Sequence, residues 1–174
     1  MLYPMSDWYW FSENSQLMLS MGEKWQCTTA YGQQQIVDLP KSHQLFNISD
    51  TEYYQTLADQ LLACGGKFSD AQLTHILINA TAAAMFHKPL SPKSWFLDEI
   101  ESFGFHYRLA RVVNKFNSGV VLIVIDEHSL ATCMLISSKL QLTEKKFLRQ
   151  FDLIKLAKTR LKPLLFETCS QLTA

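Results

Sequence analysis

Four cations stand beside prolines that constrain their backbone: Lys88 and Lys93 in His87-Lys88-Pro89-Leu90-Ser91-Pro92-Lys93-Ser94-Trp95, and Arg160 and Lys162 in Arg160-Leu161-Lys162-Pro163. Proline fixes φ and drives the residue before it out of the helical region, which limits where Lys88 and Lys93 can point. The chemistry this suits is recognition of carboxylates, with Trp95 as an apolar anchor. The first segment reads equally as a stiff spacer between two domains, its Trp packed into the next core. If the late segment returns to the junction, the two make one basic patch. A structural reason for Arg160 and Lys162 also exists, since cations at a helix C-terminus gain about 0.3–1 kcal/mol from the macrodipole.

Catalytic constellations are missing from the sequence. It has no phosphate-binding glycine loop, no G-x-S-x-G and no H-E-x-x-H. His43, His75, His87, His106 and His128 are too scattered for two ligands on one helical face, so neither a metal nor a cofactor is expected. Asp126, Glu127, His128 and Ser129 lie near Cys133, but they read as a solvated turn before a buried strand thiol rather than a Cys-His pair. No catalytic residue is assigned.

Charge narrows the partners. Lys plus Arg and Asp plus Glu stand at 16 each in 174 residues, so no global field draws in nucleic acid or anionic lipid. Residues 1–92 nevertheless hold four Lys and no Arg against eight acids, while residues 93–174 hold twelve basic residues against eight acids. The basic run over 139–162 has Phe147 and Phe151 on an expected helix face, not interleaved as a stacking platform, so nucleic acid is not expected. Cys27, Cys64, Cys133 and Cys169 form no C-x-x-C pair, and no signal peptide is read at the start. Reduced thiols in the cytosol are the expectation. Leu73–Phe86 is too short for a bilayer span.

The elements that must position these cations divide near residue 93, giving an α+β fold. Residues 1–93 form an α/β domain: a hairpin from 7–12 and 16–21, a third strand over Lys24–Ala30, a weaker one around Gln35–Leu39, and two helices. Capping boxes at Ser49-Asp50-Thr51-Glu52 and Ser69-Asp70-Ala71-Gln72 start the helices, and Gly65-Gly66 stops the first. The second, apolar on nearly all sides, is expected at the centre. Residues 94–174 form a β-rich domain with a half-buried strand over 105–113 and strong strands over 119–125 and 130–136. A helix over Glu144–Leu161, capped by Thr143, closes it, with Phe147, Phe151, Ile154, Ala157 and Leu161 on one face. Leu164-Leu165-Phe166 is a possible last strand.

The sequence resembles the ZapC family of Z-ring-associated cell division proteins. The resemblance rests on Trp8-x-Trp10 followed by Leu17-Met18-Leu19-Ser20-Met21, on FSDAQLTHILINATAAAMFHKPLSPKSW, and on the late DLIKLAKTRLKP. Ser20 stands where the family's first hairpin usually carries an acid. The resemblance implies an α/β N-terminal domain and a β-barrel-like C-terminal one. It further implies a cytoplasmic, non-enzymatic protein at the midcell ring that binds FtsZ, bundles its polymers and restrains their GTP turnover. By position, Lys88, Lys93 and Arg160 match basic residues of the family's motifs, and Leu19 matches an apolar residue of its hairpin. Partner binding is accordingly expected at Lys88, Lys93, Arg160 and Lys162, with an apolar pocket near Leu19 and Trp95. With no heptad repeat, a monomer with two contact faces is expected. An adaptor for another acidic protein keeps the same patch, and a small-molecule-binding domain would use a pocket between the two halves.

Overall fold

Asn14 and Ser15 both take positive φ, at 50° and 63°, the two-residue turn whose twist matches that of paired strands. It joins β1 (Trp8–Glu13) to β2 (Gln16–Met21) in the register Trp10↔Leu19. With β3 (Gln26–Gly32) and β4 (Gln44–Leu45) they form a sheet of order β3-β2-β1-β4. This computed structural model describes residues 1–65, 68–93, 96–100 and 108–164. The strand considered around Gln35–Leu39 is instead a turn with a single bridge, Ile36 to His87.

Helix α1 (Ile48–Ala63) starts earlier than the Ser49 box suggests. Asn47 is the cap: its side chain accepts the Asp50 N–H and the Asp50 carboxylate accepts the Asn47 N–H, each at 3.0 Å. Asn caps as well as Ser, and the acid three residues on has a further donor to satisfy, the Trp10 indole N–H at 3.1 Å. That bond fastens α1 to β1. Burial raises the Asp50 pKa, with the bonds from Asn47 and Trp10 acting against it. Tyr54, Leu57 and Leu61 are buried as expected, whereas Leu62 is exposed. Gly65, at φ 70°, follows the helix; Gly66 lies outside the described residues.

Helix α2 (Asp70–Phe86) begins at the expected Ser69–Gln72 box. Ten of its residues between Leu73 and Ala83 are buried, which makes it the central element of the core. Asn79 accepts the Ala30 N–H at 2.7 Å, so the outer edge of β3 is satisfied by the helix rather than by another strand.

The second half is a sheet of order β10-β7-β6-β5-β11, built from β5 (Leu109–Val113), β6 (Ser118–Asp126), β7 (Leu130–Leu135), β10 (Leu153–Ala157) and β11 (Lys162–Pro163). Between β7 and β10 a small hairpin of β8 (Lys139–Gln141) and β9 (Phe147–Arg149) projects. No helix closes it: residues 147–157 are strand and turn, and only Lys158–Arg160 make a 3₁₀ turn. The Thr143 hydroxyl does accept the Lys146 N–H, so a cap-like bond forms without a helix behind it. Phe151 sits at φ 69°, which no helix admits. Beyond it Ile154 and Leu156 alternate inward with strand period, a pattern the helical reading absorbed.

This sheet is strongly curled but not a closed barrel among the described residues. Laid flat, five strands about 4.8 Å apart would separate β10 from β11 by roughly 19 Å. The link from Ala157 to Lys162 contains a 3₁₀ turn, rising only about 2 Å per residue, and falls short of that span. Curvature is helped by the register shift between Ile123 and Ile125. At Gly119 an added Cβ would lie 3.1 Å from a Leu135 methyl, so glycine permits the close approach there.

One apolar core runs across the expected division near residue 93. Trp8, Tyr31, Leu57 and Leu77 share a cluster with Leu109, Leu122, Met134 and Phe151. A second cluster, including Leu97, Val112, Cys133, Leu140 and Leu161, fills the curl of the C-terminal sheet.

Candidate functional site

In the described part of the Pro-punctuated connector, residues 87–93, Lys88 and Lys93 bond to different halves of the chain. Near its start, Lys88 bonds through its main-chain N–H to the Gln35 carbonyl at 2.9 Å. The Lys88 ammonium caps the Gln34 carbonyl at 3.0 Å. This side chain is exposed, yet it holds the turn after β3. The His87 ring packs edge-on to Tyr31, 5.4 Å between centroids.

Two described stretches, Pro92–Lys93 and residues 96–100, bond to the curled sheet and are together called the strap. Lys93 donates its N–H to the Lys155 carbonyl on β10 at 2.8 Å, and Asp98 donates to the Val113 carbonyl on β5 at 2.9 Å. In the link from β10 to β11, Thr159 accepts the Ile100 N–H at 2.7 Å, and the Arg160 guanidinium donates to the Leu97 carbonyl. Leu97 is buried in the curl. Thr159 and Arg160 of the late segment thus lie beside Ile100 and Leu97, residues that follow the connector in the chain.

The cations differ in what they do there. Lys93 is exposed. Arg160 is mostly covered: Nη1 holds Leu97, Nη2 lies 3.7 Å from a Glu99 oxygen, and its Nε has no hydrogen-bond partner among the described residues. Lys162 sits exposed on β11, directly opposite Arg111 of β5. Leu19 is fully buried under β2 and offers no surface, and Trp95 lies outside the described residues. Neighbouring Lys155 and Lys158 are neutralised by Glu127 at 2.7 Å and Asp126 at 2.5 Å. The acids of the Asp126–Ser129 loop therefore serve ion pairs, which sequence spacing did not reveal.

Beside the strap a groove of about 640 Å³ is lined by Phe96, Leu97, Phe116 and Leu142, with Lys115, Lys145, Asp98 and Glu144 at its polar positions. Sequence reasoning missed it because its walls come from three separate loops.

Catalytic and metal chemistry gain nothing from the geometry. Among the described residues no three His, Cys, Asp or Glu side chains gather to hold a metal. His43 stacks on Tyr9 and His75 meets Phe151 edge-on; His106 is outside the described residues. Burial pushes the Cys133 thiol well above its ordinary value and the Cys27 thiol to about 11, so neither is poised as a thiolate. No described helix is long and apolar enough to cross a membrane.

Comparison with known proteins covers almost the whole chain. Residues 1–88 match the family described as Cell-division protein ZapC, N-terminal, and residues 89–167 match Cell-division protein ZapC, C-terminal. A relative from Pseudoalteromonas atlantica named Cell division protein ZapC is 36% identical over 171 residues, 96% of each chain. Proteins of the same name from Shewanella oneidensis, 33% identical over 94% of each chain, and Idiomarina loihiensis, 29% identical over 91% of this chain and 88% of its own, are similar along the same length.

Proposed function

The chain belongs to the ZapC family of cell division proteins, and from that premise we propose that it is a non-enzymatic factor that binds FtsZ. Binding bundles FtsZ polymers, restrains their GTP turnover and stabilises the ring at midcell in the cytoplasm. The observation that supports this reading is that exposed Lys93 is fixed through its main-chain N–H to the Lys155 carbonyl of edge strand β10 at 2.8 Å. Such preorganisation lowers the ordering cost of binding a carboxylate-rich surface.

Within this reading the basic residues divide the work. Lys93 and Lys162 face solvent and meet acidic side chains, Lys88 contributes charge while holding its turn, and Arg160 positions the strap. The apolar share of the affinity comes from the groove of Phe96, Leu97, Phe116 and Leu142 beside the strap, with Leu19 supporting the hairpin from within the core. Rim charges chiefly set encounter and specificity, and an apolar centre sets lifetime. Bundling requires contact with two filaments, which a monomer achieves through two faces.

Co-sedimentation with GTP-assembled FtsZ at low salt tests the proposal. The wild-type chain pellets with filaments, Lys93→Glu pellets less while its unfolding transition stays unchanged, and binding weakens as salt rises. A wild-type chain that stays in the supernatant sinks the partner.

A further inference from the structure

Across the β5–β11 ladder Arg111 and Lys162 are directly opposed. Cross-strand neighbours lie within side-chain reach, and like charges there destabilise the pair. Both residues are exposed, and neither has a carboxylate within ion-pair distance among the described residues. Elsewhere on the same sheet the fold has placed acids to meet its cations, Glu127 for Lys155 and Asp126 for Lys158. The opposed pair is the exception.

We propose that Arg111 and Lys162 together form a carboxylate-binding site for an acidic protein segment, with Arg111 as its principal contact. This deepens the partner reading above and rests on it for the identity of the protein that supplies the segment. Arg111 follows Ala110 and precedes Val112, both buried in the curl, so strand alternation turns its side chain to the other face, beside half-buried Val120 of β6. That gives the guanidinium an apolar flank and a fixed root. Its planar fork can take both oxygens of one carboxylate, while the ammonium opposite serves as a point charge for the same or the next acid. Two cations on a chain of zero formal net charge suit a short acidic stretch better than the many phosphates of a nucleic acid.

The probe is a fluorescent Glu-rich peptide, followed by anisotropy at low salt against the full chain. Arg111→Glu weakens binding by about tenfold or more and Lys162→Glu by less, consistent with loss of charge complementarity at a contact centred on Arg111. Arg111→Gln weakens it less and serves as the measure should the reversal fail to fold. The unfolding midpoint of Arg111→Glu equals or exceeds that of wild type, because Glu opposite Lys162 replaces a repulsion with a pair. Peptide binding within twofold of wild type in Arg111→Glu overturns the site, as does a wild-type chain that ignores the peptide. An Arg111→Glu effect on duplex DNA or anionic vesicles but not on peptide overturns the proposed occupant. If the peptide result holds while wild type stays off FtsZ filaments, the site stands and the named partner falls. If Arg111→Glu still pellets fully with filaments and still binds peptide, this site falls and the partner reading stands.

Discussion

The Tyr31 hydroxyl donates a 2.9 Å hydrogen bond to the main-chain carbonyl of Phe151, 120 residues away in sequence. Phe151 is held at a positive φ of 69°, a conformation bulky residues rarely adopt. The phenol, wholly buried on β3, thereby secures a strained turn of the C-terminal half against the first sheet.

Tyr31→Phe leaves that carbonyl unpaired in the core, and stability falls by about 1–3 kcal/mol. The loss appears in the single unfolding transition of a chain whose halves share one core. Chemical denaturation followed by both far-ultraviolet circular dichroism and tryptophan fluorescence checks it, and two separated transitions would contradict the shared core.

Stability also depends on pH at the alkaline end. Tyr53 donates to the Val124 carbonyl at 3.0 Å, and burial pushes its phenol up to about 12, with Arg108 acting in the opposite direction. Tyr31 is raised too, first by burial and then by Asp152 and Tyr53. A raised phenol keeps its proton longer folded than unfolded. Its stabilisation is therefore complete below the unfolded value of about 10 and is lost as pH climbs from there towards 12 and beyond. The denaturation midpoint should hold steady up to about pH 10 and then decline, less steeply in Tyr53→Phe.

Arg160 and Lys93 part company under mutation. Arg160→Lys keeps the charge but loses the planar fork on the Leu97 carbonyl, lowering stability by about 1.5–3 kcal/mol and weakening filament binding with it. Lys93→Glu leaves the thermal midpoint where it was. Measuring both midpoints beside co-sedimentation separates positioning from contact; an unchanged midpoint in Arg160→Lys would remove its structural role.

At the centre of α2, Ala83 is buried on an element enclosed on nearly every side. Ala83→Leu overpacks that site and reduces stability by about 1–3 kcal/mol, readable as a shift in urea midpoint at constant slope.

The first half was legible because its signals are local. The hairpin over 7–12 and 16–21, the Ser69–Gln72 box and the apolar run of α2 each act within a few residues. The second half misled where one pattern suits two periods: Phe147, Phe151, Ile154 and Leu161 fit a helical face, but the positive φ of Phe151 and the alternation through β10 are satisfied only by a sheet that supplies distant partners. For the site, repeated Pro and cation chemistry raised the late segment's return only as a condition, and the structure sets Arg160 against Leu97, past the connector. Which cations are spent on ion pairs was not legible, because Glu127 and Asp126 reach Lys155 and Lys158 through strand pairing rather than sequence spacing.

The strap residues Lys93, Leu97 and Ile100 have a consequence in time. Their bonding partners include Lys155, Thr159 and Arg160, made some 60 residues later on the chain. A segment emerging early must wait, unbonded, for the last strands before the curl can be filled, and such long loop closures slow folding. Leu97 can be buried with Leu156 and Leu161 of its cluster only after those late residues have been made, so filling of the curl comes last in the order of synthesis.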